Sequence, residues 1–457
     1  MAEFSQKTVA GTQSSEAPVT ESRSSAARKK APGLSFHRHF TKAGVSPYDE
    51  VEWELRTASI NDAGGGVLFE QKDVEVPKDW SMTATNIVAS KYLHGTVGTP
   101  ERETGVRQLV SRVAETIRDW GMAGGYFKTA DDAAVFHDEL VHLLIQQKMA
   151  FNSPVWFNVG CDRIEPNSDA ANWHWNHAEQ KVEFGRTGYK APQCSACFIN
   201  SVRDSLDSIL TLAKTEGMLF KWGSGTGTNL SPLRGSMENL SGGGQASGPL
   251  SFMKGFDAFA GVIKSGGKTR RAAKMVILNV DHPDIIDFIE CKQKEEAKAY
   301  TLTQAGYDGS GPDSEAYSSI FFQNANNSVR VTDEFMAAVE ADGEYALRNP
   351  RSGEPVKSLR ARKVFDLIAN LAWRSAEPGL VFIDRINAVN PTPQIGPMES
   401  TNPCAELPLL PFETCNLGSI DVSKVVVGAD FDWTRLRALV REGVDFLDNV
   451  IDANRYP

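Results

Sequence analysis

The feature that most restricts what this chain can fold into is the alternation, from residue 192 onward, of short apolar runs with helix-period segments. Phe198-Ile199, Met275 to Val280, Val329 to Val331 and Leu380-Val381-Phe382-Ile383 have the length and apolar content of buried strands. Helical patterns lie between them over 205–221, 249–263, 283–296, 333–340 and 363–375. The first turns Leu206, Ile209, Leu210, Ala213, Gly217 and Phe220 to one side, with Asp204 or Ser205 as its cap. A last helix over 433–452 sets Leu436, Leu439, Val440, Gly443, Leu447, Val450 and Ile451 inward. Strands alternating with helices predict a parallel-type α/β core whose functional loops sit at strand ends.

Upstream the pattern differs. Residues 1–33 are rich in Ser, Ala, Thr and Lys and read as a disordered tail with a basic patch at Arg28-Lys29-Lys30. Residues 34–150 read as a mixed α/β region, with strands near 51–54 and 67–69. Its helices are placed at 104–120, with Val106, Leu109, Val110, Val113, Ile117 and Trp120 on one face, and at 131–148, capped by Asp131. Residues 160–190 read as a polar, aromatic surface insertion. Cys161, His174 and His177 lack a fourth ligand nearby, so no metal site is expected. A length of 457 residues allows two to four domains, or one large domain with appendages. The net charge of −10 argues against general nucleic-acid binding. No apolar run is long enough to span a membrane, and the first residues lack the pattern of a signal peptide. Six cysteines in so long a chain do not make a secreted disulfide framework, so a cytoplasmic protein is expected.

Three motifs bear on chemistry. Gly223-Ser224-Gly225-Thr226-Gly227-Thr228-Asn229 follows a helix instead of opening one, which is the reverse of a dinucleotide-binding fingerprint. It reads either as a helix C-terminal turn or as a place where a ligand meets bare backbone. Cys194 and Cys197 form a C-x-x-C with no second pair at zinc spacing, leaving redox chemistry or simple burial open. Asn402-Pro403-Cys404-Ala405-Glu406 packs an amide, a thiol and a carboxylate into five residues, with Cys415 eleven positions after Cys404. The prolines in this stretch argue against a helix. In an extended loop Asn402, Cys404 and Glu406 would point the same way. The thiol can act as nucleophile or hydrogen-atom abstractor, and the carboxylate as general base. No nearby histidine is present to activate a thiolate, which weakens a protease-like reading.

The Asn-Pro-Cys-Ala-Glu run with Cys415 resembles the finger loop of the ribonucleotide reductases. Other segments match in order: Phe151-Asn152-Ser153-Pro154, Ser195-Ala196-Cys197, Asp204-Ser205-Leu206-Asp207, Gly225 to Asn229 and the basic turn around Arg270. The stretch from Phe36-His37-Arg38-His39-Phe40-Thr41 to Val51-Glu52-Trp53-Glu54 resembles the adenosylcobalamin-dependent class II branch. The resemblance covers roughly residues 34–457. It implies a ten-stranded α/β barrel, of which 151–457 would be the first part, with the finger loop inside. It implies reduction of ribonucleoside di- or triphosphates to deoxyribonucleotides, with Cys404 as radical carrier, Glu406 as proton acceptor and Asn402 as substrate partner. Cys197 and Cys415 would be the pair oxidised to a disulfide, then re-reduced by a thioredoxin-type donor. Ser153, Ala196, Cys197, Gly225 and residues Asn402, Pro403, Cys404, Ala405 and Glu406 would line the substrate site. Asp204, Arg234, Lys268, Arg270 and the rest of the 268–275 turn would form an effector site for deoxynucleotides or ATP, at a homodimer interface in the full-length protein. The resemblance supplies adenosylcobalamin as cofactor. The family's later barrel segments and C-terminal cysteines are not in the sequence, so a fragment inactive by itself is expected. The rival readings are a class I large subunit and a non-catalytic nucleotide-binding regulatory module.

Overall fold

The computed structural model describes residues 33–61, 65–168, 171–176, 179–185, 188–190, 192–263, 272–311 and 314–454. The expected tail up to residue 32, His177, Lys268 and Arg270 lie outside the described residues.

A six-stranded sheet organises the second half of the chain, in the order Gly379–Phe382, Ala325–Val331, Lys274–Asn279, Gly225–Asn229, Cys197–Asn200, Thr414–Cys415. The first five of these are parallel, and Thr414–Cys415 runs antiparallel to Cys197–Asn200. The parallel strands stand in chain order, so each crossover advances the sheet by one strand. There is no reversal of order, and hence no switch-point crevice of the doubly wound kind. Among the described residues the sheet is open and six-stranded, fewer than the ten strands implied for the whole barrel, of which this chain was expected to hold the first part.

The crossovers contain helices Leu206–Lys221, Gly248–Val262, Ile285–Gln304, Asp333–Glu340 and Ala361–Ser375. Ser205 caps the first by accepting from the Ser208 amide, which satisfies one of the donors left over at a helix start. Its buried residues are Ile209, Leu212, Glu216, Leu219 and Phe220. Leu206 and Leu210, expected inside, are 62% and 60% exposed. The core beneath these helices joins Val276, Leu278, Val329, Val331, Phe288 and Phe335.

The head of the glycine run is the expected helix C-terminal turn, with Gly223 at a left-handed φ of 87° and its amide donating to Phe220 O at 3.0 Å, but the rest is not a turn. Gly225–Asn229 is a strand buried at every position. Glycine is a poor strand former, so something must require bare backbone there, and the site supplies that reason. Lys274, read as part of a basic turn, instead opens a buried strand. Its ammonium contacts Glu216 beneath the sheet, and both side chains are almost completely buried. Thr226 and Thr228 Oγ1 also donate to Glu216 Oε1, each at 3.2 Å.

In the N-terminal region Trp53–Asn61 and Val67–Pro77 form an antiparallel hairpin longer than the two short strands expected. Helix Val106–Gly124 buries the predicted face. Helix Ala130–Ile145 is capped by Thr129, which accepts from the Asp132 amide, instead of by Asp131. The last helix, Trp433–Ala453, folds back on this region, and its Leu439, Phe446 and Val450 share one core with Leu109, Val113, Phe136 and Leu140. Val440 and Ile451, expected inside, are 46% and 45% exposed, whereas Phe446 is buried. The insertion is the two-stranded sheet Asn172–Asn176 and Lys181–Gly185. No group of residues able to hold a metal ion is found among the described residues, and none of their helices is long and apolar enough to cross a membrane.

Candidate active site

The site is assembled where the Thr414–Cys415 strand meets the sheet. Its register places Cys415 directly opposite Cys197. Direct partners on antiparallel strands have Cα atoms about 4.5–5.5 Å apart, inside the range a disulfide spans. Both residues are 8% exposed and reduced. The alignment is held by Ala196 N donating to Cys415 O at 2.7 Å, Ile199 N to Glu413 O at 2.9 Å and Thr414 Oγ1 to Cys197 O at 2.8 Å. The two thiols share a proton unequally. A hydrogen bond to Cys415, then burial, pushes the Cys197 thiol well up. The same bond holds Cys415 below its ordinary value. Cys197 is thus the donor in this pair, and Cys415 the more acidic of the two thiols. Cys194, the other thiol of the C-x-x-C, is fully buried in the N-terminal core. Burial pushes it above its ordinary range.

Beside the pair, Ser400–Thr401 and Pro408–Leu409 form a small antiparallel hairpin. The run from Asn402 to Leu407 is its tip, and it is a tight turn, not the extended loop expected. Ala405 N donates to Asn402 O at 3.0 Å, and Ala405 takes a left-handed φ of 66°. The alternation that would aim three side chains alike is therefore broken. Asn402 is buried, whereas Cys404 and Glu406 are exposed. Asn402 is the structural centre of the turn: its Oδ1 accepts from Leu407 N at 3.0 Å and its Nδ2 points to Cys197 Sγ at 3.7 Å. Of the six cysteines only Cys404 is exposed.

The glycines now have a cause. A Cβ on Gly227 would lie 1.7 Å from Thr401 O, and one on Gly225 would lie 2.7 Å from Pro403 Cγ and 3.2 Å from Cys197 Sγ. The hairpin crosses the bare face of this strand, and only glycine leaves room for it.

Several positioning residues were not singled out from sequence. Asn152 donates through Nδ2 to Cys194 O at 2.7 Å and accepts at Oδ1 from Leu417 N at 3.1 Å, while its own amide donates to Leu417 O at 3.0 Å. One side chain thus joins the approaches to both cysteine strands, and Ser153, the next residue, lies 3.2 Å from Tyr92 Oη. Asn326 Nδ2 donates to Pro403 O at 2.6 Å, tying the turn to the sheet. Asn454, on the far side, accepts from Cys194 N at 2.7 Å and donates to Ser195 Oγ at 2.7 Å. The available sequence signal was polar amides set in apolar surroundings, where burial demands partners.

Away from this centre, Arg234 Nε donates to Asp204 Oδ2 at 2.8 Å. Both residues line a cavity of about 240 Å³ with Ser205, Leu206, Leu240 and Phe252. The structure therefore brings Asp204 and Arg234 together, away from the buried Lys274.

Comparison with known proteins places the chain in a family. Residues 195–457 match the family model described as "Ribonucleotide reductase, barrel domain". Residues 54–147 match "Class II vitamin B12-dependent ribonucleotide reductase". A vitamin B12-dependent ribonucleotide reductase of Rhodopirellula baltica is 47% identical over 93% of this chain and 41% of its own length. That of Streptomyces clavuligerus is 45% identical over 96% of the chain and 43% of its own length. A vitamin B12-dependent ribonucleoside-diphosphate reductase of Thermoplasma acidophilum is 44% identical over 59% of the chain and 32% of its own length. The chain thus spans about two-fifths of the length of the first two relatives. With the first family model alone covering more than half of its residues, the chain belongs to the class II, vitamin B12-dependent ribonucleotide reductases.

Proposed function

We propose that these residues form the reducing centre of an enzyme that converts ribonucleotides to 2′-deoxyribonucleotides. The observation that carries the reading is the cross-strand register of Cys197 and Cys415 beside the Asn402–Glu406 turn. Loss of the 2′-hydroxyl as water takes up two electrons and two protons. Two thiols closing to a disulfide release the same number, so the pair balances the reaction. The arrangement suits this role, because both thiols hold a proton to give and the hydrogen bond from Cys197 to Cys415 already aligns the two sulfurs. Glu406 is the carboxylate assigned to the 3′-hydroxyl proton and buried Asn402 the amide assigned to the substrate. Ser153, Ala196, Gly225, Pro403 and Ala405 are the remaining walls of the substrate site. Asp204 and Arg234 are proposed as its effector-binding residues, within the 240 Å³ cavity they line.

Adenosylcobalamin fits one observation: Cys404 alone among the cysteines is exposed, as a thiol must be to receive a radical from a bound group. When bound, the cofactor supplies that radical by cobalt–carbon homolysis. The chain's own part is to hold Cys404 on a fixed turn and to keep the reducing pair separate from it. We further assign residues 34–150 to the class II N-terminal region and 151–457 to part of a ten-stranded α/β barrel of a cytoplasmic, dimeric enzyme re-reduced by a thioredoxin-type protein.

A graft tests the reading. Residues 34–454 of this chain replace their counterparts in the Rhodopirellula baltica relative, and deoxynucleotide formation is assayed with adenosylcobalamin and dithiothreitol. Turnover that is lost on Cys404→Ser, with a Cys197–Cys415 disulfide found by peptide mapping after one turnover without reductant, is the expected result. A disulfide joining Cys194 to Cys415 would sink the assignment.

A further inference from the structure

A second cleft lies at the seam where helix Trp433–Ala453 meets the N-terminal region. It has a volume of about 480 Å³ and is lined by His39, Phe40, His142, Lys148, Asp432, Thr434, Arg435 and Ala438. Its charges are unusual. Lys148 is 8% exposed, yet among the described residues no carboxylate lies within ion-pair distance of its ammonium. Its polar contact is His142 Nε2 at 2.5 Å. Among the described residues Arg435 likewise has no ion-pair partner, and it rests over the Phe40 ring at 5.8 Å, with Lys148 Nζ over the same ring at 5.3 Å. The acids around the cleft are otherwise engaged. Glu139 accepts from Phe40 N, Thr41 N and Thr41 Oγ1. Glu50 faces His142 Nδ1 at 3.3 Å, and Asp432 caps the helix at Arg435 N. Glu442 lies against Glu139, and His39 Nε2 is 3.8 Å from it. Lys424 adds a further positive charge.

Burying an ammonium without a counter-charge is expensive, and buried Lys148 with half-buried Arg435 beside the start of a long helix favours an anion. We propose that this cleft is a binding site for a phosphate group, held by Lys148 and Arg435 at the start of helix Trp433–Ala453. The site is distinct from the Cys197–Cys415 centre and from the Asp204–Arg234 cavity, and it does not depend on the function proposed above. Burial, followed by the Arg435 charge, lowers the Lys148 ammonium to about 8. Where it meets the cleft, Lys148 is therefore a more nucleophilic amine at mild pH than an ordinary lysine, and a bound phosphate would restore its proton and shield it.

This gives a test on the chain as it stands. Trace acetylation of lysines is followed by peptide mass spectrometry at pH 8 in sodium chloride, in inorganic phosphate at matched ionic strength, and in ADP. Phosphate at about ten times its half-protecting concentration should slow labelling of Lys148 about tenfold, and leave Lys254, in another cleft, unchanged. Arg435→Gln should raise the phosphate concentration needed for half-protection about tenfold. ADP protecting at lower concentration than phosphate identifies a nucleotide as the source, and equal concentrations identify the phosphate group alone. No slowing at Lys148, or the same slowing at Lys148 and Lys254, overturns the proposal.

Discussion

Replacing Gly227 by alanine tests the packing of the finger-loop hairpin with a single methyl group. The new Cβ would stand 1.7 Å from Thr401 O and 2.8 Å from Thr401 C. Real carbon–oxygen contacts begin near 3 Å, so the hairpin base must retreat by about 1 Å or more, a small-to-large strain of the kind that costs about 1–3 kcal/mol. The obstacle is backbone, so no side-chain rotation relieves it. Ser400 and Thr401 lead directly into Asn402 and the Cys404 turn, so the displacement is transmitted to the reacting groups. A 1 Å misplacement costs about 100-fold in rate. Urea unfolding of Gly227→Ala should therefore show a loss of about 1–3 kcal/mol. The grafted enzyme should lose about two orders of magnitude in turnover. Gly242→Ala is the control: no atom lies within 4 Å of its Cβ, so it should stay within about 0.5 kcal/mol of the parent. If Gly227→Ala matches that control in both stability and turnover, the hairpin does not lie on this strand as described.

Further predictions follow from the buried charges and amides. Lys274→Met leaves Glu216 buried without its cation and should cost about 3–5 kcal/mol in urea unfolding, with Lys274→Met/Glu216→Leu recovering much of it. Burial, and next the neighbouring Glu139, raise the Glu442 carboxyl to about 9. A raised acid contributes stability below its unfolded value and loses it as pH climbs toward the folded one. The melting temperature should therefore fall from pH 5 to pH 9, and Glu442→Gln should flatten that slope; parallel curves would refute the assignment. Asn152→Ala removes the bridge between Cys194 O and Leu417 N. It should cost about 1–3 kcal/mol and slow formation of the Cys197–Cys415 disulfide in a mild oxidant, whereas an unchanged oxidation rate would deny Asn152 its positioning role. In native-state alkylation Cys404 should react before every buried cysteine, and earlier labelling of Cys197 would contradict the burial.

The finger-loop motif, the helix face at 106–117, the helix at 333–340 and the alternation of strands with helices were legible because each is a local pattern with a fixed period or spacing. The failures were also physical. Gly225–Asn229 has the composition of a turn, and it becomes a strand because a distant hairpin needs its bare surface. Leu206 and Leu210 fit an inward stripe, yet the sheet covers the neighbouring stripe through Ile209 and Leu212. Asn152, Asn326 and Asn454 carry no periodicity, and their partners are remote in sequence.

Which thiols, amide and carboxylate the chain offers, and the family to which they belong, follow from residue identity and order alone. The sequence left open whether Cys194 or Cys197 meets Cys415. Only the tertiary structure decided that, because antiparallel register depends on how distant segments pair, and a slip of one residue would turn the thiols to opposite faces. It likewise decided that Asn402 is buried while Cys404 is exposed, because a left-handed Ala405 converts an extended loop into a turn.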